Sequence, residues 1–171
     1  MDRAQKARQQ WETELGGLDY LPMEIFGRLS EASLLFRRDW LEPLLAEHGV
    51  QSGEFDVLAT LRRAGAPYAL TPTELFEAAM ISSGGMTSRL DRLERSGWIK
   101  RAPNPNDRRG TIVSLTEAGK SLVDTIVPAH LANEAKALSL LSDTQMQRLN
   151  ILMARLIESL QKPHEGDDGA A

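Results

Sequence analysis

Between Gly85 and Gly110 the chain carries seven basic residues, Arg89, Arg92, Arg95, Lys100, Arg101, Arg108 and Arg109, against three acidic ones, Asp91, Glu94 and Asp107. Guanidinium groups at that density form charge-assisted hydrogen bonds to phosphate or carboxylate, and their planar fork matches either anion. The segment has a balance of +4 in a chain whose net charge is -4, so the remainder carries -8. Such a separation is expected where one face meets phosphate and the rest does not. A solvated helix face followed by a charged turn is the plainer account of the same residues.

Other chemistries find little support. The chain has no cysteine, which removes disulfides, thiolate nucleophiles and zinc-thiolate sites together. His48, His130 and His164 are far apart in sequence and read as a helix C-terminal cap, a solvated or partner-facing helix residue and a tail residue. None resembles a metal set or a base beside a nucleophile. The glycines at 84 and 85, after two serines, lack the preceding strand and the lysine of a nucleotide-binding loop. A non-enzyme without metal or organic cofactor is expected. No apolar run is long enough for a membrane span or a secretory leader, which leads to the expectation of a cytoplasmic protein.

The elements that must position the basic segment are mostly helical. The first fifteen residues predict a lead helix ending at Leu15-Gly16-Gly17. From Met23 to about Glu47 apolar residues wrap around two sides of a long helix, with a bend expected at Pro43. Such a helix suits burial against its own domain and a second chain. Ser52 is placed as the cap of a helix over 52–64, closed by Gly65. Thr71, Pro72 and Glu74 form a capping box with proline at the first helical position, opening a helix over 72–80. Ser82 or Ser83 is placed as the cap of a helix over 83–96, with Met86, Leu90 and Leu93 on its buried stripe and Thr87, Ser88, Asp91 and Arg95 opposite.

Two short strands, 99–102 and 111–115, then flank a loop of turn formers, as a marginal two-stranded ribbon. Thr116 caps a further helix that passes Pro128, and Ser142 with Gln145 caps the last one. The order predicts a mainly α fold with a small β-ribbon, a winged helix-turn-helix: one helix enters the major groove of a duplex and the basic wing reaches the adjacent minor groove. Residues 1–20 are assigned to an N-terminal extension, 21–50 and 117–161 to a helical dimerisation region, 51–116 to the DNA-binding lobe and 162–171 to a disordered acidic tail.

The stretch from Ser82 to Arg101, followed by Asp107 to Gly119, resembles the MarR (multiple antibiotic resistance regulator) family, whose wing pattern is matched by Asp107, Arg109, Leu115 and Thr116. The resemblance covers roughly residues 21 to 160. It implies a dimeric MarR-like architecture, a homodimer that straddles double-stranded DNA with a palindromic operator, its half-sites about 34 Å apart. It also implies a DNA-binding set of Ser83, Thr87, Ser88, Arg92, Asp107, Arg108 and Arg109. Arg109 resembles the family's minor-groove arginine, and Asp107 is assigned to orienting the wing.

A narrower resemblance, to urate-responsive members of the family, rests on Trp11, Asp56, Arg89 and Arg101. Urate is a planar monoanion at neutral pH, which a guanidinium meets through paired hydrogen bonds and an indole covers by stacking. The implied function is a ligand-responsive transcriptional repressor released from its operator by urate or a related aromatic anion. The alternative is a winged-helix module for architecture or protein contacts that senses no small molecule.

Overall fold

The computed structural model describes residues 1–79, 85–105 and 107–162. Eight helices and three strands follow in the order α1 (Arg3–Glu14), α2 (Leu21–Phe36), α3 (Glu42–Glu47), α4 (Ser52–Arg63), β1 (Ala69–Leu70), α5 (Pro72–Ala78), α6 (Met86–Arg95), β2 (Ile99–Asn104), β3 (Asp107–Leu115), α7 (Glu117–Ala137) and α8 (Asp143–Gln161) among the described residues. Two compact units are formed, one from Met1 to Asn133 and one that begins at Glu134.

The lead helix is present, and α1 is held on α2 by charge and close approach. Ala4 is buried against Gly27, where a Cβ would stand 3.0 Å from that of Ala4. Around this crossing Glu24, itself buried, receives Arg8 at 2.9 Å and Arg28 at 2.7 Å. A buried carboxylate between two helices needs such partners, because an unpaired charge there costs several kcal/mol, on the order of 3–5.

The long helix expected from 23 to 47 starts earlier, at Leu21, and is interrupted by a π-turn at Arg37–Leu41 before α3. Pro43 has no N–H to give to the carbonyl four residues back, and widening the turn is one way to re-route the ladder. The N–H of Glu42 goes to the carbonyl of Arg37, and the carbonyl of Trp40 accepts from Asn133 Nδ2 at 3.2 Å.

Two predicted caps need correction. The N-cap of α4 is Gln51 rather than Ser52: Glu54 accepts the Gln51 N–H at 2.9 Å in a reciprocal capping box. Similarly, α6 begins at Met86 rather than at 83, after Gly85 in a left-handed conformation (φ 83°) that leaves no side-chain cap. Ser82 and Ser83 lie outside the described residues. The boxes of Thr71 with Glu74 and of Ser142 with Gln145 occur as expected, and Thr116 accepts the Gly119 N–H at 3.0 Å to open α7.

The core sits under α4, whose Val57, Leu58 and Leu61 are fully buried with Leu75, Leu93, Val113 and Ile126. Half-buried His130 lies on this side of α7 rather than standing fully in solvent. It follows Ile126 by one turn and packs between Phe36, at 6.1 Å between ring centroids, and Phe55, at 5.5 Å and edge-on. Arg62 of α4 reaches Asp124 of α7 at 2.7 Å, and Arg62 and Lys120 both stand over the ring of Tyr68.

The ribbon is a three-stranded antiparallel sheet, ordered β1-β3-β2, not a two-stranded one. The two residues of β1 pair with Ser114 and Val113 and so cover the free edge of β3. Between β2 and β3 the register runs from Ile99 opposite Leu115 to Pro103 opposite Thr111, and then steps to Asn104 opposite Asp107. Residues 108 to 110 are therefore extra on β3, a bulge near the turn. The predicted acidic tail, apart from Lys162, lies outside the described residues.

Candidate nucleic-acid interface

The face that a duplex would meet is built from α6 outward. Leu90 and Leu93 are buried and Met86 packs against the core, so three- and four-residue spacing holds one side of α6 down. Thr87 and Ser88 are exposed in its first turn. This is the geometry by which a helix offers its N-terminal residues to a groove.

Arg92 lies one turn further on and is not simply solvated. Its Nε donates to Glu54 Oε1 at 2.5 Å, Nη1 to Ser88 Oγ at 2.9 Å and Nη2 to Gln51 Oε1 at 3.4 Å. Glu54 is buried, and the same carboxylate caps α4 through its other oxygen. Neither Glu54 nor Gln51 is singled out by sequence reasoning. Gln51 and Glu54, spaced as a capping box before the apolar run of α4, are the signal that finds the cap, but nothing local announces the arginine 38 residues away.

The wing is carried by β2 and β3. Arg108 and Arg109 stand in the β3 bulge rather than in an open loop; their side chains lie outside the described part of the structure. Asp107, the first residue of β3, is exposed and reaches back over the bulge: a Cβ at Gly110 would be 3.2 Å from Asp107 Oδ2 and 3.3 Å from Asn104 Nδ2. Gly110 thus leaves room for a carboxylate to lie across the turn.

The four residues expected around an anionic ligand fall in three places. Arg89, on α6, lies against the first turn of α4, so close to Gly53 that a Cβ there would stand 2.6 Å from Arg89 Nε. Asp56 is three residues on from Gly53 on the same face of α4, and the structure thereby brings Arg89 to the neighbourhood of Asp56. Arg101, on β2, is engaged elsewhere: Nη2 lies 2.7 Å from Asp91 Oδ1 and 2.6 Å from Glu94 Oε2. Those carboxylates leave α6 on a different face from Arg89, since Asp91 and Glu94 are two and five residues on, rotations of about 200° and 140°. The hydrogen bond from Arg101 holds Glu94 below the usual carboxylate range, while Glu94 first and Asp91 second push the Arg101 guanidinium up. Trp11 is on α1, 46 % exposed. Among the described residues no cluster of three or more His, Asp and Glu side chains is placed to hold a metal ion, and no helix is long and apolar enough to cross a membrane.

The sequence and the fold are similar to those of known proteins. A model of the MarR family matches residues 50–111, from just after α3 to Thr111 of β3. The HTH-type transcriptional regulator PecS of Dickeya dadantii is 42 % identical over 152 residues, 89 % of this chain and 91 % of that protein. Among solved structures, a MarR family transcriptional regulator from Streptomyces coelicolor in complex with DNA superimposes with a TM-score of 0.75 at 26 % identity, covering 87 % of this chain and 97 % of that one. A single-residue mutant of MarR from Escherichia coli, complexed with operator DNA, gives 0.68 at 28 % identity over 80 % and 94 %.

Proposed function

We propose, since the chain belongs to the MarR family of transcriptional regulators, that it is a homodimeric repressor which binds a palindromic operator and releases it on meeting urate or a related aromatic anion. The observation that carries the DNA reading is α6: it buries Leu90 and Leu93, leaves Thr87 and Ser88 exposed, and is tied to the wing by Arg101. A helix so held presents donors of known position, and a wing bearing Arg108 and Arg109 adds charge where a minor groove has its most negative potential.

The dimer is supported by apolar surface that a single chain leaves open. On α2, Leu21, Ile25, Phe26 and Leu34 are exposed, and on α8 so are Leu149, Ile151, Leu152, Ile157 and Leu160. Stripes of that size are covered by a second copy in most soluble oligomers, and two-fold symmetry then matches two operator half-sites.

Ligand response is supported by Arg89, which bridges the reading helix to α4 at Gly53, one turn from Asp56. An anion that competes for this guanidinium would loosen α6 from α4. Arg101 can join the same response only by leaving Asp91 and Glu94, and Trp11 only by stacking from α1. Such a protein works in the cytoplasm, where its operator is.

A gel-shift titration on the DNA upstream of its own gene, against a scrambled duplex and with and without urate, tests the reading. Selective binding that urate reverses is the expected result. Selective binding indifferent to urate retains the regulator and discards the urate site, and equal binding to every duplex favours an architectural module.

A further inference from the structure

Ser88 and Arg92 are joined to each other before either meets a duplex. The Arg92 guanidinium is fixed from below by Glu54, whose side chain is only 7 % exposed and whose second oxygen is committed to the Gln51 N–H at 2.9 Å. From that anchor Nη1 donates to Ser88 Oγ at 2.9 Å. A hydroxyl has one hydrogen to give and two lone pairs to receive with. Once Oγ receives from a cation, its own hydrogen points away from that cation, and Ser88 is exposed on the outer side of α6.

We propose that Glu54 and Arg92 act as a positioning pair that locks the Ser88 hydroxyl as a hydrogen-bond donor aimed at an acceptor of duplex DNA, a phosphate oxygen or a base-edge acceptor such as guanine O6 or N7. The proposal rests on the DNA-binding reading above and changes what Arg92 is for. Its charge is matched by a buried carboxylate, so it orders a neighbour rather than contributing a free cation to the phosphate backbone. It also biases Ser88 toward donation: Arg92 occupies one of the two lone pairs and turns the hydroxyl hydrogen away from itself, so an acceptor on the DNA is the partner this geometry favours.

The test uses the full chain and a duplex that the wild-type protein selects from a randomised library, with Ser88→Ala, Arg92→Lys and the double variant. Lysine keeps the charge and can still pair with Glu54, but it lacks the planar fork that spans Glu54 and Ser88 together. Alanine is the better helix former at 88, so neither change threatens the fold, and thermal melting checks this. Each single variant is expected to weaken binding to the selected duplex about tenfold, the scale of one specific contact, and the double variant no more than either single. Binding to a scrambled duplex identifies the acceptor: a fall in the selected-to-scrambled ratio places it on a base edge, and equal weakening on both places it on a phosphate. Wild-type affinity in either single variant, or a loss near a hundredfold in the double, overturns the proposal while leaving the regulator intact. Wild-type protein that selects no duplex removes the DNA reading and this proposal with it.

Discussion

Arg101, on the first strand of the wing, donates through Nε and Nη2 to Glu94 Oε2 of α6 at 2.9 and 2.6 Å, and its backbone N–H donates to the other oxygen of the same carboxylate at 3.1 Å. One side chain of the reading helix thus grips both the main chain and the guanidinium of a wing residue. The two parts that would touch DNA, α6 and the wing, are thereby fastened at their base.

That grip is acid-sensitive in a defined direction. Glu94 titrates below its ordinary value because Arg101 donates to it, so the folded state holds the proton less tightly than the unfolded state, whose value is about 4.3. The stabilisation is complete above that value and disappears as the pH falls through the lower folded one. Urea midpoints of the wild type and Glu94→Gln should differ at pH 7 and converge towards pH 3. A gap that stays constant over this range would show that the carboxylate charge is not what matters.

Gly53→Ala is expected to act on ligand response. The new Cβ would fall 2.6 Å from Arg89 Nε, and the arginine, being the flexible partner, must leave its place on α4. Alanine in an early helical turn adds up to about 1 kcal/mol of helix propensity, so the fold is kept. The urate dose response of DNA release should be blunted with no fall in melting temperature; a full response would take Arg89 out of the site.

Arg109→Ala should weaken DNA binding and leave the dimer intact. Losing one phosphate-neutralising or minor-groove charge lowers the slope of log K against log salt by about 1. Titrations at several salt concentrations, with light scattering for the dimer, are the check, and an unchanged slope would leave the arginine without its assigned role.

Gly119→Ala should be severe. A Cβ at this buried residue would stand 2.0 Å from the carbonyl oxygen of Trp98 and 2.8 Å from its carbonyl carbon. Backbone cannot swing aside as a side chain does, so the start of α7 must separate from the entry to β2. A loss of about 3 kcal/mol or more is expected by analogy with overpacked cores, read as a lowered denaturation midpoint. A midpoint within experimental error of the wild type would mean that α7 tolerates that separation.

What could be read from the sequence was what neighbours in the chain decide among themselves. Thr71, Pro72 and Glu74 make a capping box within four residues, as Ser142 and Gln145 do; Val113 and Leu115 alternate inward as their spacing requires. These interactions close over one turn or one pleat, and together they set the order of elements that defines a winged helix. The basic segment was equally legible, because charge is counted and does not depend on where the chain goes. Tertiary structure decided the partners. Ser52 is the better cap by composition, yet Gln51 holds the place because Glu54 answers it. A strand as short as Ala69–Leu70 exists because β3 offers it an edge. Arg92 and Arg101 look alike as free cations in a basic run, yet one is held by a carboxylate 38 residues before it and the other by two on a helix packed beside its strand. A charge in sequence carries sign but no address, and its partner is chosen only when packing brings elements within about 4 Å of each other.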